Sequence, residues 1–150
     1  MKSMFKITLS LAFAVANVMA HGHMTVPEVR IPPGDRNVGL SLTRGPNSHM
    51  PCGGNPPGPT TARYSSGEMI TIGWEIGAAH RGPCQIDLAT HLDSNFDTLA
   101  SWDCADVSGE FQTSVQLPEG VTCEQCALRF LWYAELTGET YVNCADISIE

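Results

Sequence analysis

The chain has 150 residues, enough for one ordinary domain and too few for two. Eight Lys and Arg stand against sixteen Asp and Glu, a formal charge of −8. That balance makes nucleic acid and anionic membranes poor partners, because phosphate binding needs clustered positive charge.

Residues 1–20, MKSMFKITLSLAFAVANVMA, read as a secretory signal. Lys2 and Lys6 give the positive start, residues 7–18 are an apolar run too short to span a bilayer, and Val18-Met19-Ala20 is a small-residue cleavage site. A membrane anchor is the alternative, and that length disfavours it. The expectation is therefore a secreted, extracellular protein with a mature domain over residues 21–150. Both lysines fall in the signal, so the mature part keeps six Arg against sixteen acids, a formal charge of −10. Five of those arginines, Arg30, Arg36, Arg44, Arg63 and Arg81, lie in residues 21–81, which carry a net +1. Residues 82–150 carry −11.

Eight of the ten prolines lie at or before Pro59. Segments such as IPPGDRNVG and PCGGNPPGPTTA cannot hold a helix or a central strand, so residues 24–62 read as mostly ordered loop. From Gly67 the pattern changes. Ile70, Ile72, Trp74 and Ile76 alternate with other residues, the period of a half-buried strand. Phe111, Thr113, Val115 and Leu117 do the same. In CALRFLWYA, Leu128, Phe130, Trp132 and Ala134 share one face, with Arg129, Leu131 and Tyr133 on the other, and YVNCADISI reads as a last strand. Gly82-Pro83, Pro118-Glu119-Gly120 and Thr137-Gly138 are turn signals between these runs. HLDSNFDTLASW has room for a short helix. The pattern predicts an all-β, antiparallel β-sandwich with long Pro/Gly-rich N-terminal loops. Six cysteines, Cys52, Cys84, Cys104, Cys123, Cys126 and Cys144, read as three disulfides in a secreted chain, in any of fifteen pairings. Cys123-Glu-Gln-Cys126 could also be a redox or zinc half-site, although no second pair of similar spacing completes a zinc site.

Cleavage after Ala20 would make His21 the first residue. A terminal histidine offers an α-amine and a ring Nδ1 that close one chelate ring, and a second histidine would complete a three-nitrogen set suited to copper. A peptidase cutting at that point for no metal-related reason leaves the same terminus.

HGHMTVP after the signal, YSSGEMITIGWEIGAAHRGPCQIDL, CEQCALRFLWY and YVNCADISI occur in this order. Together they resemble the lytic polysaccharide monooxygenases, secreted copper enzymes with an immunoglobulin/fibronectin-like sandwich, and the class in that family active on pectin is one candidate. The resemblance implies one copper ion on His21 and His80, with Tyr141 at the position where the family has an axial Tyr or Phe. It implies the disulfides Cys52–Cys144, Cys123–Cys126 and Cys84–Cys104. It also implies a reaction in which copper, an external electron donor and O2 or H2O2 oxidise a carbon beside a glycosidic bond, so that the chain breaks by elimination. The expected partner is a polysaccharide, and the protein is expected to act as a monomer. The family often sets a Gln, Glu or Arg near the oxygen species. Arg129 is a weak candidate for that position and Glu135 no better.

Alternatives remain. His21-Gly22-His23 could bind Cu(II) alone through the terminal amine, two amides and the His23 ring. His49 and His91 read as surface residues. A non-catalytic secreted copper-binding protein and a carbohydrate-binding sandwich are the competing functional classes. For substrate, Trp74, Phe111, Phe130 and Trp132 read as core, leaving Tyr64, Phe96 and Trp102 as platforms for a flat polymer. With so few platforms, the five arginines of residues 21–81 favour a polyuronate such as pectic homogalacturonan, with chitin and cellulose still open.

Overall fold

The computed structural model describes residues 21–32, 34, 45–47, 49–104 and 107–150. The signal segment, residues 1–20, lies outside the described residues, as do Arg36 and Arg44. Eight strands follow in chain order: β1 (Gly22–Val26), β2 (Ala62–Tyr64), β3 (Met69–Ile76), β4 (Gly82–Ala89), β5 (Asp97–Cys104), β6 (Gly109–Gln116), β7 (Cys123–Ala134) and β8 (Glu139–Ile149). They make a three-stranded sheet, β1-β3-β6, packed on a five-stranded sheet, β2-β8-β7-β4-β5. Every pairing is antiparallel except β2 with β8. This is the β-sandwich the alternation predicts, in the immunoglobulin/fibronectin-like form the resemblance implies. No helix among the described residues is long and apolar enough to cross a membrane.

The core lies between the sheets. Ile70, Ile72, Trp74 and Ile76 of β3 meet Leu128, Phe130, Trp132 and Ala134 of β7, all buried. Strand β8 is different because residues 141–149 are buried on both faces. The described parts of the proline-rich segment between β1 and β2 are fastened to it at several points. Cys52 is bonded to Cys144, 92 residues away. Arg30 grips Asp146 with Nε at 2.9 Å and a terminal nitrogen at 2.5 Å. The N–H groups of Gly58 and Thr61 donate to the side chain and backbone of Asp146. A bridge closing a loop of that length is worth about 4–5 kcal/mol in chain entropy. The other disulfides are Cys84–Cys104 and Cys123–Cys126, which completes the pairing the resemblance implies.

Three local expectations change. The segment with room for a helix instead turns at His91–Ser94, with Leu92 and Asn95 at positive φ, and enters the edge strand β5. Pairing with β4 and the Cys84–Cys104 bridge decide its conformation. Gly82-Pro83 begins β4 rather than forming a turn. Gly82 has φ +153°, and a Cβ there would strike the Tyr133 carbonyl, so only glycine lets β4 run this close to β7. Finally, Gly22–Val26 is a strand, because its register against β3 satisfies a backbone that the sequence alone leaves as loop.

Candidate metal centre

Strand β1 runs antiparallel to β3 with Gly22 opposite Ile76. The Gly77 N–H donates to the His21 carbonyl at 2.7 Å, tying His21 to the β3–β4 turn. His80 sits on that same turn, after Gly77-Ala78-Ala79. Both histidines are half-buried. The floor beneath them is Trp132, fully buried on β7. A Cβ on Gly22 would lie 2.6 Å from the Trp132 ring, so the chain crosses this indole only because residue 22 has no side chain. The His80 ring is near parallel to Trp132, with centroids 6.4 Å apart. Tyr141, the cross-strand partner of Trp132, stacks on it at 4.5 Å. Of the residues singled out from sequence, His80 and Tyr141 flank this indole, and His21 precedes the glycine that crosses it and is tied by its carbonyl to the turn carrying His80.

His80 Nδ1 is buried with no hydrogen-bond partner among the described residues. Tyr141 is fully buried, and its hydroxyl donates to Glu139 Oε2 at 2.9 Å, a carboxylate that also accepts from Thr137 at 2.8 Å. Burial, and then the hydrogen bond and charge of Glu139, push the Tyr141 phenol well above its ordinary range, so it stays neutral. No three His, Cys, Asp or Glu side chains converge anywhere among the described residues. An ion held here would take the two imidazoles, together with the His21 α-amine if the chain begins at that residue, with a neutral phenol nearby. That nitrogen-only set fits copper and does not fit Ca²⁺ or Mg²⁺, which need oxygen ligands.

The other sequence candidates separate from this site. His23 is buried on β1 with Nδ1 3.9 Å from Glu75 Oε2, its register partner on β3. This places the ring in the sheet and works against the local tripeptide arrangement. His49 and His91 are exposed, as expected. Arg129 is on the face of β7 opposite Trp132. It pairs with the buried Asp87 at 2.8 Å and lies 4.0 Å over Phe96, so its role is structural. Glu135 follows β7, and its N–H bonds the Arg81 carbonyl.

The five-arginine face does not form among the described residues. Arg30 is buried on Asp146 and Asp93. Arg63 is opposite Ser148, seven residues along β8 from Tyr141, or about 23 Å at strand rise, and pairs with Glu150. Among the described arginines, Arg81 adjoins His80. The aromatic platforms also change. Trp102 packs on Trp74 at 5.0 Å, Tyr64 packs against the core and Phe96 covers Arg129, while Tyr133 is the exposed aromatic at the site end. Sequence reasoning missed Trp132 and Glu139 as parts of the site. Glu139 could have been found from its place two residues before Tyr141, on the same side of the strand.

The family model for lytic polysaccharide mono-oxygenases, described as cellulose-degrading, matches residues 45–147, a span that includes His80, Tyr141 and all six cysteines and starts after His21. No curated protein gives a significant match. Among solved structures, the chain is similar to the AA15 lytic polysaccharide monooxygenase of Thermobia domestica in its Cu(I) state, with 23% identity over 86% of this chain and 98% of that one and a TM-score of 0.64. It is similar to the catalytic domain of a Listeria monocytogenes lytic polysaccharide monooxygenase, with 14% identity over 87% and 99% and a TM-score of 0.66. The Jonesia denitrificans enzyme, known from neutron crystallography, gives 17%, 87%, 100% and 0.61. These structural likenesses carry the fold. The family match spans well over half of the sequence, and the chain belongs to the lytic polysaccharide monooxygenase family.

Proposed function

We propose that this chain, freed of residues 1–20, is a secreted, monomeric, copper-dependent monooxygenase that cleaves a polysaccharide oxidatively. Copper would be held by the α-amine and ring of His21 and the ring of His80, with the Tyr141 phenol beside them. The observation that supports this reading is that the His21 carbonyl is tied to Gly77, on the turn that carries His80, while Gly22 crosses Trp132 and the His80 ring lies beside the same indole. Copper, when bound, supplies one-electron chemistry with an external donor and activates O2 or H2O2.

The chain's own residues do the rest. Trp132 fixes the plane of His80 and the path of His21. Glu139 holds the proton of Tyr141 in a hydrogen bond, so the phenol remains a neutral neighbour rather than an anionic ligand. Gly77, Ala78 and Ala79 keep the turn beside His80 low, so a polymer can approach. Homogalacturonan loses Arg30 and Arg63 as contacts, and neutral β-linked polymers such as cellulose or chitin stand first. Copper calorimetry on protein beginning at His21 and on protein retaining Ala20, followed by mass spectrometry of products from a glycan panel, tests the reading. Tight binding and oxidised chain ends only for the form beginning at His21 are expected. Equal copper affinity and activity in both forms would overturn the ligand assignment.

A further inference from the structure

Beside His80, the outer face of the five-stranded sheet carries a shallow, open groove of about 470 Å³ lined by Arg81, Pro83, Ser101, Trp102, Asp103 and Glu135. Pro83 and Asp103 are register partners on β4 and β5. Glu135 closes the groove from the end of β7, and its N–H donates to the Arg81 carbonyl at 2.9 Å. Arg81 directly follows His80, so the groove starts one residue from the proposed copper ligand. The Arg81 guanidinium donates to Asp103 Oδ2 from Nε and a terminal nitrogen, both at 3.3 Å. The two side chains remain 73% and 56% exposed.

The charge in this groove decides what it admits. Its one cation is already paired, and a second carboxylate, Glu135, stands beside it, for a net −1. A neutral glycan brings hydroxyls that can donate to Asp103 and Glu135 and accept from Arg81 and Ser101. A polyuronate brings a carboxylate on every sugar, which must share Arg81 with Asp103 and face the charge of both that acid and Glu135.

We infer that this groove is a glycan subsite adjoining the copper centre, and that Asp103 and Glu135 select a neutral chain over a polyuronate by holding Arg81 in check. The inference rests on the proposed polysaccharide-cleaving function. Its test uses the copper-loaded protein beginning at His21 and compares wild type with Asp103→Asn/Glu135→Gln, and with the same pair carrying Arg81→Gln. Calorimetry gives affinity for oligogalacturonate and for cello-oligosaccharide, and product analysis on mixed substrate gives the preference. Two exposed charge interactions correspond to about a two- to thirtyfold change in the affinity ratio. The double variant should move that far toward oligogalacturonate, the gain should shrink with added salt, and Arg81→Gln should remove it. An unchanged ratio in a double variant that still melts and binds copper like wild type would overturn the inference. So would a wild type that prefers oligogalacturonate. If the affinity ratio shifts while wild type releases no oxidised product from any glycan, the selective groove stands and the proposed function fails. If wild type is active and the ratio does not move, the function stands and the groove fails.

Discussion

Replacing Gly22 with Ala puts one methyl group where the structure has no room. The new Cβ would sit 2.6 Å from Cζ3 and 2.7 Å from Cε3 of Trp132. Trp132 cannot yield, because it is fully buried, with Tyr141 stacked at 4.5 Å and His80 at 6.4 Å. Overpacking of this kind costs about 1–3 kcal/mol. Part of that cost appears as stability, with a melting temperature lower by roughly 4 °C per kcal/mol for a domain of this size. The rest appears as displacement of β1, which carries His21 away from His80, so copper affinity should fall about tenfold or more, equivalent to 1.4 kcal/mol. Calorimetric titration of copper into protein beginning at His21, paired with thermal melts of the metal-free form, measures both. Trp132→Phe in the Gly22→Ala background removes the ring atoms that clash and should recover part of the copper affinity, a coupling that independent sites do not show. A Gly22→Ala protein with wild-type melting temperature and copper affinity would refute the argument that Trp132 positions His21.

His80→Ala should weaken copper binding strongly with little loss of stability, whereas His23→Ala should lower the melting temperature and leave copper affinity near wild type. The opposite ranking in calorimetry would favour the local tripeptide site. Arg30→Ala leaves Asp146 buried without its bidentate partner and should cost about 3–5 kcal/mol in urea unfolding, with a loss under 1 kcal/mol counting against the clamp. The Tyr141 phenol is raised in the folded protein from the ordinary value of 10.0. Its contribution to stability is therefore complete below about pH 10, where the unfolded tyrosine is still protonated, and is lost as pH rises through the folded value. A difference titration of phenolate absorbance between wild type and Tyr141→Phe should place the midpoint above 10. Glu139→Gln should lower that midpoint without returning it to the ordinary range, because burial is the largest cause.

Where one face of a strand is buried and the other is not, the sequence displayed it. The runs Ile70-Ile72-Trp74-Ile76 and Leu128-Phe130-Trp132-Ala134 were readable for that reason. Strand β4 was hidden because it lies between β7 and β5 and buries a charged residue. Asp87 is fully buried in the run Ile86-Asp87-Leu88, satisfied by Arg129, Thr98 and Gln85 from three positions distant in sequence or on the same strand. No local pattern announces that an acid is so well paired. Strand β5 is an edge strand with few apolar positions, so its order comes from its neighbour. The proposed site is legible to the extent that its residues are chemically distinctive. His21, His80 and Tyr141 could be named from motif and order, but Trp132 looked like any core aromatic. Its role depends on the register that sets it opposite Tyr141 and under Gly22, a property of three strands at once.

The arginines show the opposite failure, in which sequence suggested a surface that pairing removed. A net charge over residues 21–81 counts each guanidinium as available. Arg30 is committed to Asp146 and Asp93, Arg63 to Glu150 at the far end of β8, and Arg81 to Asp103. Every one of these acids lies in residues 82–150, the half that looked purely acidic. For these three arginines the two halves are the two sides of ion pairs that tie residues 30, 63 and 81 to the second half of the chain. Of the three, the Arg30 pair is buried and structural, while the Arg63 and Arg81 pairs are exposed and individually weak. Of the arginines among the described residues, Arg81 is the one both weakly held and next to His80, so charge selectivity that these arginines confer at the proposed copper face acts through that residue and the acids around it.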